Sequence, residues 1–218
     1  MPTHQTLAIA GSLLTLVALA AVLCFEGREG ARRRGLYVAK PLASTGFLLT
    51  AAANGALDSS YGVAVFVALM FSFWGDVFLM SKAVHWFRAG LFAFLLGHVA
   101  FAVAFARSGQ DAAYLGAALL VFVPVVALVA RWLLPHVKGG MRGPVVAYIL
   151  VMSSMVVLAV AAVGAGSLWF VPAGAVAFYL SDPSVARERF VSSSRVNRLW
   201  GLPLYYLAQH LFAWGLAG

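Results

Sequence analysis

Charge is scarce in this chain. Asp, Glu, Lys and Arg make up 10% of its 218 residues, 63% are hydrophobic, and the mean hydropathy is +0.93. A soluble domain carries about 25% charged and about 45–50% apolar residues, so an ordinary soluble fold is excluded. The one cysteine, Cys24, lies in an apolar run, which excludes an internal disulfide and a thiolate zinc cage. Eight prolines and 21 glycines follow no period, and no stretch is polar enough for a disordered linker, a collagen-like repeat or a low-complexity tail. Glycine-rich nucleotide loops, G-x-S-x-G and H-E-x-x-H are all missing. Phosphate-loop enzymes, serine hydrolases of the usual kind and zincins therefore have no support. No cofactor box is implied.

What is present reads as one integral membrane domain over residues 1–218. Apolar runs fall roughly at 6–25, 36–54, 61–80, 89–106, 112–133, 143–163, 166–182 and 199–217. Each is long enough to cross a hydrocarbon core of about 30 Å at about 1.5 Å per residue. Backbone groups in lipid must be satisfied internally, and these runs lack the alternation of barrel strands, so the expected architecture is an all-α bundle of eight transmembrane helices. The first run resembles a signal peptide in length. Its leader has no Lys or Arg and Ala21-Val22-Leu23 makes a poor cleavage site, so a helix is expected.

The net charge of +8 would suggest nucleic acid in a soluble protein. Here the basic residues sit in short loops between apolar runs, without aromatic interleaving on a polar face. Topology and contact with the lipid bilayer explain them, and no nucleic-acid partner is expected. Thirteen of the fifteen fall on one side: Arg28, Arg32, Arg33, Arg34, Lys82, Arg88, Arg131, Lys138, Arg142, Arg187, Arg189, Arg195 and Arg198. Arg107 is on the other side, and Lys40 lies inside the second run. The positive-inside rule then predicts both termini on the non-cytoplasmic side. High Ala, Arg and Gly usage points to a bacterial inner membrane.

Ionisable groups in membrane helices cost roughly 2.5–3.5 kcal/mol on insertion scales and usually face a bundle interior or wet cavity. Asp76 and Asp182 are the only acids inside the apolar runs. With alternating helix directions, Lys40, Asp76 and Asp182 fall within roughly 10 Å of the cytoplasmic interface, so three helices can converge on one polar cluster in that leaflet. His98, Gln209 and His210 lie deeper and are expected to line the inner part of the same cavity. Tyr205 and Gln209 share one face of the last run, and Tyr206 and His210 the next; the first pair is taken to point inward. Other roles are open to each residue. Lys40 can snorkel or pair with Asp76; Asp182 can cap a helix or pair with Arg187 or Arg189; the histidines can be packing residues. The six Trp and the Tyr and Phe residues are expected mostly at lipid-facing or interfacial positions.

Several motifs also resemble a known family. Lys40-Pro41, Phe73-Trp74-Gly75-Asp76-Val77-Phe78-Leu79, Phe87-x-x-Gly90 with Phe94 and His98, Gly174-Ala175-x-x-Phe178-x-x-Ser181-Asp182, Arg189-Phe190 and Tyr205-Tyr206-x-Ala208-Gln209 are similar, in this order, to the YhhN family of membrane proteins. That family includes the lysoplasmalogenases. The first, fifth and sixth runs carry little of the pattern, and His210 stands where an apolar residue is expected.

The resemblance implies eight helices and hydrolysis of the vinyl ether bond of a lysophospholipid, giving a fatty aldehyde and glycerophosphocholine or glycerophosphoethanolamine. Such cleavage needs a proton donor to the alkene carbon and a base to activate water, roles that two carboxylates divide in glycosidases. Asp76 and Asp182 are the candidate catalytic pair, with Asp76 ionised beside Lys40 and Asp182 the acid, or the reverse. Raising an Asp pKa by about three units costs roughly 4 kcal/mol. Lys40 can instead hold the substrate phosphate, with Arg189 and Arg195 at the cavity mouth. His98, Tyr205 and Gln209 are candidates to position the glycerol oxygens or water. No metal or cofactor is called for, and oligomeric state is left open. Two other classes compete: a transporter or channel for a small polar or lipid solute, and a zinc-dependent membrane lipid hydrolase using His98, His210, Asp76 and Asp182.

Overall fold

The computed structural model describes residues 2–25, 34–81 and 83–217; Arg28, Arg32, Arg33 and Lys82 lie outside the described residues. Within them are eight long α-helices: α1 (Pro2–Phe25), α2 (Leu36–Ala53), α3 (Ser60–Leu79), α4 (Val84–Arg107), α5 (Ala112–Leu133), α6 (Arg142–Gly164), α7 (Phe170–Ala186) and α8 (Arg195–Trp214). Two short 3-10 turns join α5 to α6, and a π turn, Arg187–Val191, follows α7.

Each expected apolar run has its helix, but several ends differ. α4 begins at Val84 instead of residue 89, and α8 at Arg195 instead of 199. α7 begins at Phe170, and Asp182, expected to close it, lies a full turn inside. Hydropathy counts side chains, whereas a helix continues wherever its backbone can pair, through charged residues at an interface as readily as through Leu.

Six helices, α1 to α6, are long and apolar enough to cross a membrane. α7 has only 17 residues, and α8 carries Arg195, Asn197, Arg198, Gln209 and His210. Their neighbours explain the tolerance. α8 packs against α7, α2, α1 and α3, and α7 also packs against α6. A helix covered by other helices need not match lipid, so it can be shorter and more polar than one facing hydrocarbon. α5 is the opposite case, packed chiefly on α6 with almost all of its surface outward.

Four of the six tryptophans are exposed, but the expectation that the Tyr and Phe residues lie mostly on the outside fails for many of them. Trp74, Trp86, Trp132 and Trp169 are on the outside, but Phe47, Phe101, Phe105, Phe178, Tyr205 and Tyr206 are buried. They form the centre of the bundle, with Phe101 and Phe212 4.2 Å apart between ring centroids and Phe178 and Tyr205 5.6 Å apart. Lipid tails give no hydrophobic reason to place a ring outside or inside, so edge contacts and the partner needed by each tyrosine hydroxyl decide.

Proline interrupts α2, α5, α7 and α8 at Pro41, Pro124, Pro183 and Pro203. Three of these lie within two residues of Lys40, Asp182 and Tyr205. Each removes an i→i−4 hydrogen bond and lets its helix bend where a polar side chain must turn inward.

α3 and α4 meet closely beside Asp76. A methyl group added at Gly75 would stand 2.5 Å from the Phe94 ring. Gly75→Ala is therefore expected to overpack this contact and cost about 1–3 kcal/mol. A lowered thermal midpoint in detergent would show it, and an unchanged midpoint would refute the tight contact.

Candidate active site

A cavity of about 590 Å³ opens between α2, α3, α4, α5, α6, α7 and α8, at the end of the bundle that carries the π turn. This is within the range of about 300–1,000 Å³ typical of ligand sites. Its polar lining includes Lys40, Asp76, Asp182, Arg189 and Tyr205, and its apolar walls include Leu91, Phe94, Val129, Ile149 and Met152. The carboxylates of Asp76 and Asp182 thus belong to residues that border one space, brought there from α3 and α7.

Their surroundings are unlike. Asp76 is buried, with Lys40 Nζ 3.1 Å from its Oδ1. Its Oδ2 accepts two hydroxyl hydrogen bonds, from Ser44 at 2.6 Å and from Tyr205 at 2.7 Å. The Ser44 hydroxyl is also 3.3 Å from that of Tyr206. One cation and two hydroxyl donors therefore converge on this carboxylate, the compensation that a buried carboxylate requires. Lys40 also donates to the Asp76 carbonyl at 3.4 Å, so its ammonium is held against α3.

Asp182 has no Lys or Arg partner among the described residues. Its Oδ2 lies 3.3 Å from His98 Nε2, and neither atom has a hydrogen bond among the described residues. The other nitrogen of His98 is 2.7 Å from the Phe94 carbonyl oxygen. A carbonyl only accepts, so Nδ1 carries the hydrogen. His98 lies against Phe178, ring centroids 4.3 Å apart, with Tyr148 edge-on at 5.2 Å. The Tyr148 hydroxyl also faces the Asp182 carboxylate.

The mouth is basic but mostly self-satisfied. Arg198 pairs with Glu188 at 2.8 Å, and Arg187 donates to Asn197 at 2.6 Å. Partial burial would push the Glu188 carboxyl up. Hydrogen bonds from Ser193, the Ser194 backbone and Asn197, with the charge of Arg198, pull it below its ordinary value. Arg189 instead lies over the Phe87 ring, 4.4 Å from its centroid, and lines the cavity.

Some sequence expectations are corrected here. His98 and Gln209 do not line the cavity; both are fully buried behind it. The Nδ1 bond to Phe94 turns His98 toward α7, and Gln209 is enclosed one turn beyond Tyr205. His210 belongs to another cluster, 3.4 Å from the Ser12 hydroxyl, which also accepts from Trp214. Arg195 reaches the Leu23 carbonyl and does not line the cavity. Asp182 pairs with His98 and not with Arg187 or Arg189. Among the described residues no three His, Cys, Asp or Glu side chains gather as a metal-ligand set, so the zinc reading has no ligand set there. Ser44 and Tyr148 were not singled out from the sequence. Ser44 is four residues from Lys40 on one helix face, a usable signal; Tyr148 lies in an apolar run with none.

Residues 35–216 match the model of the YhhN family. The chain belongs to this family. The YhhN match covers every residue that borders the cavity and leaves out residues 1–34, which include α1, and the last two residues. The chain is also similar to a protein named lysoplasmalogenase TMEM86A from Bos taurus, 30% identical over 173 residues, which covers 77% of this chain and 70% of that protein. No solved structure matches.

Proposed function

We propose that this YhhN protein is an integral membrane hydrolase that cleaves the vinyl ether bond of lysoplasmalogens, releasing a fatty aldehyde and a glycerophospho-base. The observation that carries this reading is a pair of carboxylates, Asp76 and Asp182, bordering one cavity in opposite electrostatic settings. The similarity to a protein named lysoplasmalogenase supports the substrate class. The chain is read as eight spans with both termini outside the cytoplasm, in a bacterial inner membrane, its cavity opening to the cytoplasmic leaflet.

Asp182 donates its proton to the alkenyl carbon remote from oxygen, leaving an oxocarbenium ion and the Asp182 carboxylate. Asp76, held ionised by Lys40, Ser44 and Tyr205, stabilises the cation and accepts a proton from water as its oxygen bonds to the cationic carbon. The hemiacetal then collapses. Asp76 returns its proton to the departing glycerol oxygen, while the hemiacetal hydroxyl proton goes to Asp182, restoring both groups. Each proton-transfer partner is worth about 10²–10⁴ in rate when well placed.

Lys40 is committed to Asp76, so the phosphate falls to Arg189 at the mouth. Arg189→Ala is expected to raise KM roughly 10- to 100-fold, the value of one charge-assisted hydrogen bond, with kcat little changed. A kcat loss with unchanged KM would contradict this placement. The function itself is tested by mass spectrometry of purified protein incubated with a lysoplasmalogen. Free long-chain aldehyde supports a hydrolase; uptake into vesicles with the substrate intact supports a transporter.

A further inference from the structure

His98 is fully buried and outside the cavity, yet its Nε2 is 3.3 Å from Oδ2 of Asp182, a residue that borders it. With Nδ1–H given to the Phe94 carbonyl, a neutral ring presents only a lone pair at Nε2. An ionised Asp182 presents lone pairs as well. Two such acceptors do not rest at this distance unless a proton lies on one of them. The pair is then either a carboxylic acid facing imidazole or a carboxylate facing imidazolium, and both contain one proton. Other groups near the pair are Tyr148 on α6, whose ring is 5.2 Å from that of His98 and whose hydroxyl faces the Asp182 carboxylate, and Tyr179, three residues before Asp182 on α7. Phe94 and Phe178 complete the surroundings. No cation of the described residues pairs with Asp182, whereas Asp76 has Lys40.

We infer that His98 is a positioning residue that shares the proton of Asp182 and keeps it available at the cavity wall. This rests on the proposed vinyl ether chemistry. The Phe94 carbonyl fixes the Nδ1–H tautomer, which leaves the Nε2 lone pair, 3.3 Å from Oδ2, as the acceptor for the Asp182 proton. After Asp182 protonates the alkenyl carbon, its carboxylate faces neutral His98 until the hemiacetal proton returns. The imidazole takes up no net proton over the cycle and touches no reacting atom. Without it, an amide in its place donates N–H to the carboxylate, which favours the ionised form and drains the acid at lower pH.

The test is the pH dependence of aldehyde release by His98→Gln in the full-length protein. Expected are a kcat loss of about 10- to 100-fold near neutrality, KM within about twofold, and an alkaline limb moved down by about one pH unit or more. A loss of kcat with the limb unmoved would mean a packing role and overturn the inference, as would wild-type kinetics. Failure of the unaltered protein to release any aldehyde would instead overturn the proposed function. Nitrogen NMR of ¹⁵N-histidine-labelled unaltered protein in nanodiscs gives an answer independent of variant folding. The inference requires a protonated Nδ1 at His98 and an Nε2 signal that moves in Asp182→Asn. A bare Nδ1 would overturn it.

Discussion

Replacing Asp182 by Asn is expected to lower aldehyde release by about 10²–10⁴, because an amide fills the same space at the cavity wall and has no proton to give to carbon. Asp76→Asn is expected to lose a similar factor for a different reason. Its amide can neither stabilise the oxocarbenium ion by charge nor accept a proton from water, although Ser44 and Tyr205 can still bond to its oxygen. The two variants should be separable by added acid. A weakly buffered drop in pH can replace part of the missing proton in the Asp182 variant but supplies no base to the Asp76 variant. The measurement is initial aldehyde release from a lysoplasmalogen in detergent or nanodiscs, with extraction yield and thermal midpoint recorded beside it. Substantial turnover in either properly folded variant would end the paired-carboxylate mechanism.

Lys40→Met is expected to be the most destabilising change at the site. The Lys40 and Asp76 side chains are only 11% and 4% exposed, so removing one leaves the other as an uncompensated buried charge, a loss of about 3–5 kcal/mol. Two hydroxyl donors do not replace a cation. The double variant with Asp76→Asn separates electrostatics from packing. With both charges gone, the thermal midpoint should return toward that of the unaltered protein, since a buried ion pair can be replaced by uncharged residues at little net cost. Activity should not return, because the base is missing. A double variant as unstable as Lys40→Met would mean that the Lys40 stem is needed for packing and that the ion pair contributes little.

Much of this site was legible residue by residue. A carboxylate in the interior of an apolar run has no reason to persist unless it meets a partner or a cavity, and Asp76 and Asp182 were the two such acids. Depth alone put Lys40 near Asp76, and the two are 3.1 Å apart. His98 was harder. Its depth matched a cavity-lining residue, but whether a ring points into a space or behind it depends on rotamer and on a carbonyl four residues earlier. Gln209 shares a helix face with Tyr205, yet only the tyrosine borders the cavity, while the amide is enclosed. α8 shows the same limit at the level of the element. Its polarity reads as a poor membrane span, and its position among four other helices makes that polarity acceptable.

Sequence alone determined the membrane class, the eight helical segments and the small set of ionisable groups that must be sheltered from lipid, because hydropathy and helical period are properties of neighbouring residues. Tertiary structure decided which carboxylate has a cation and which has an imidazole, since those partners come from α2, α8 and α4, far away along the chain. A carboxyl group's charge state is a property of everything around it. No reading of its own helix contains that information.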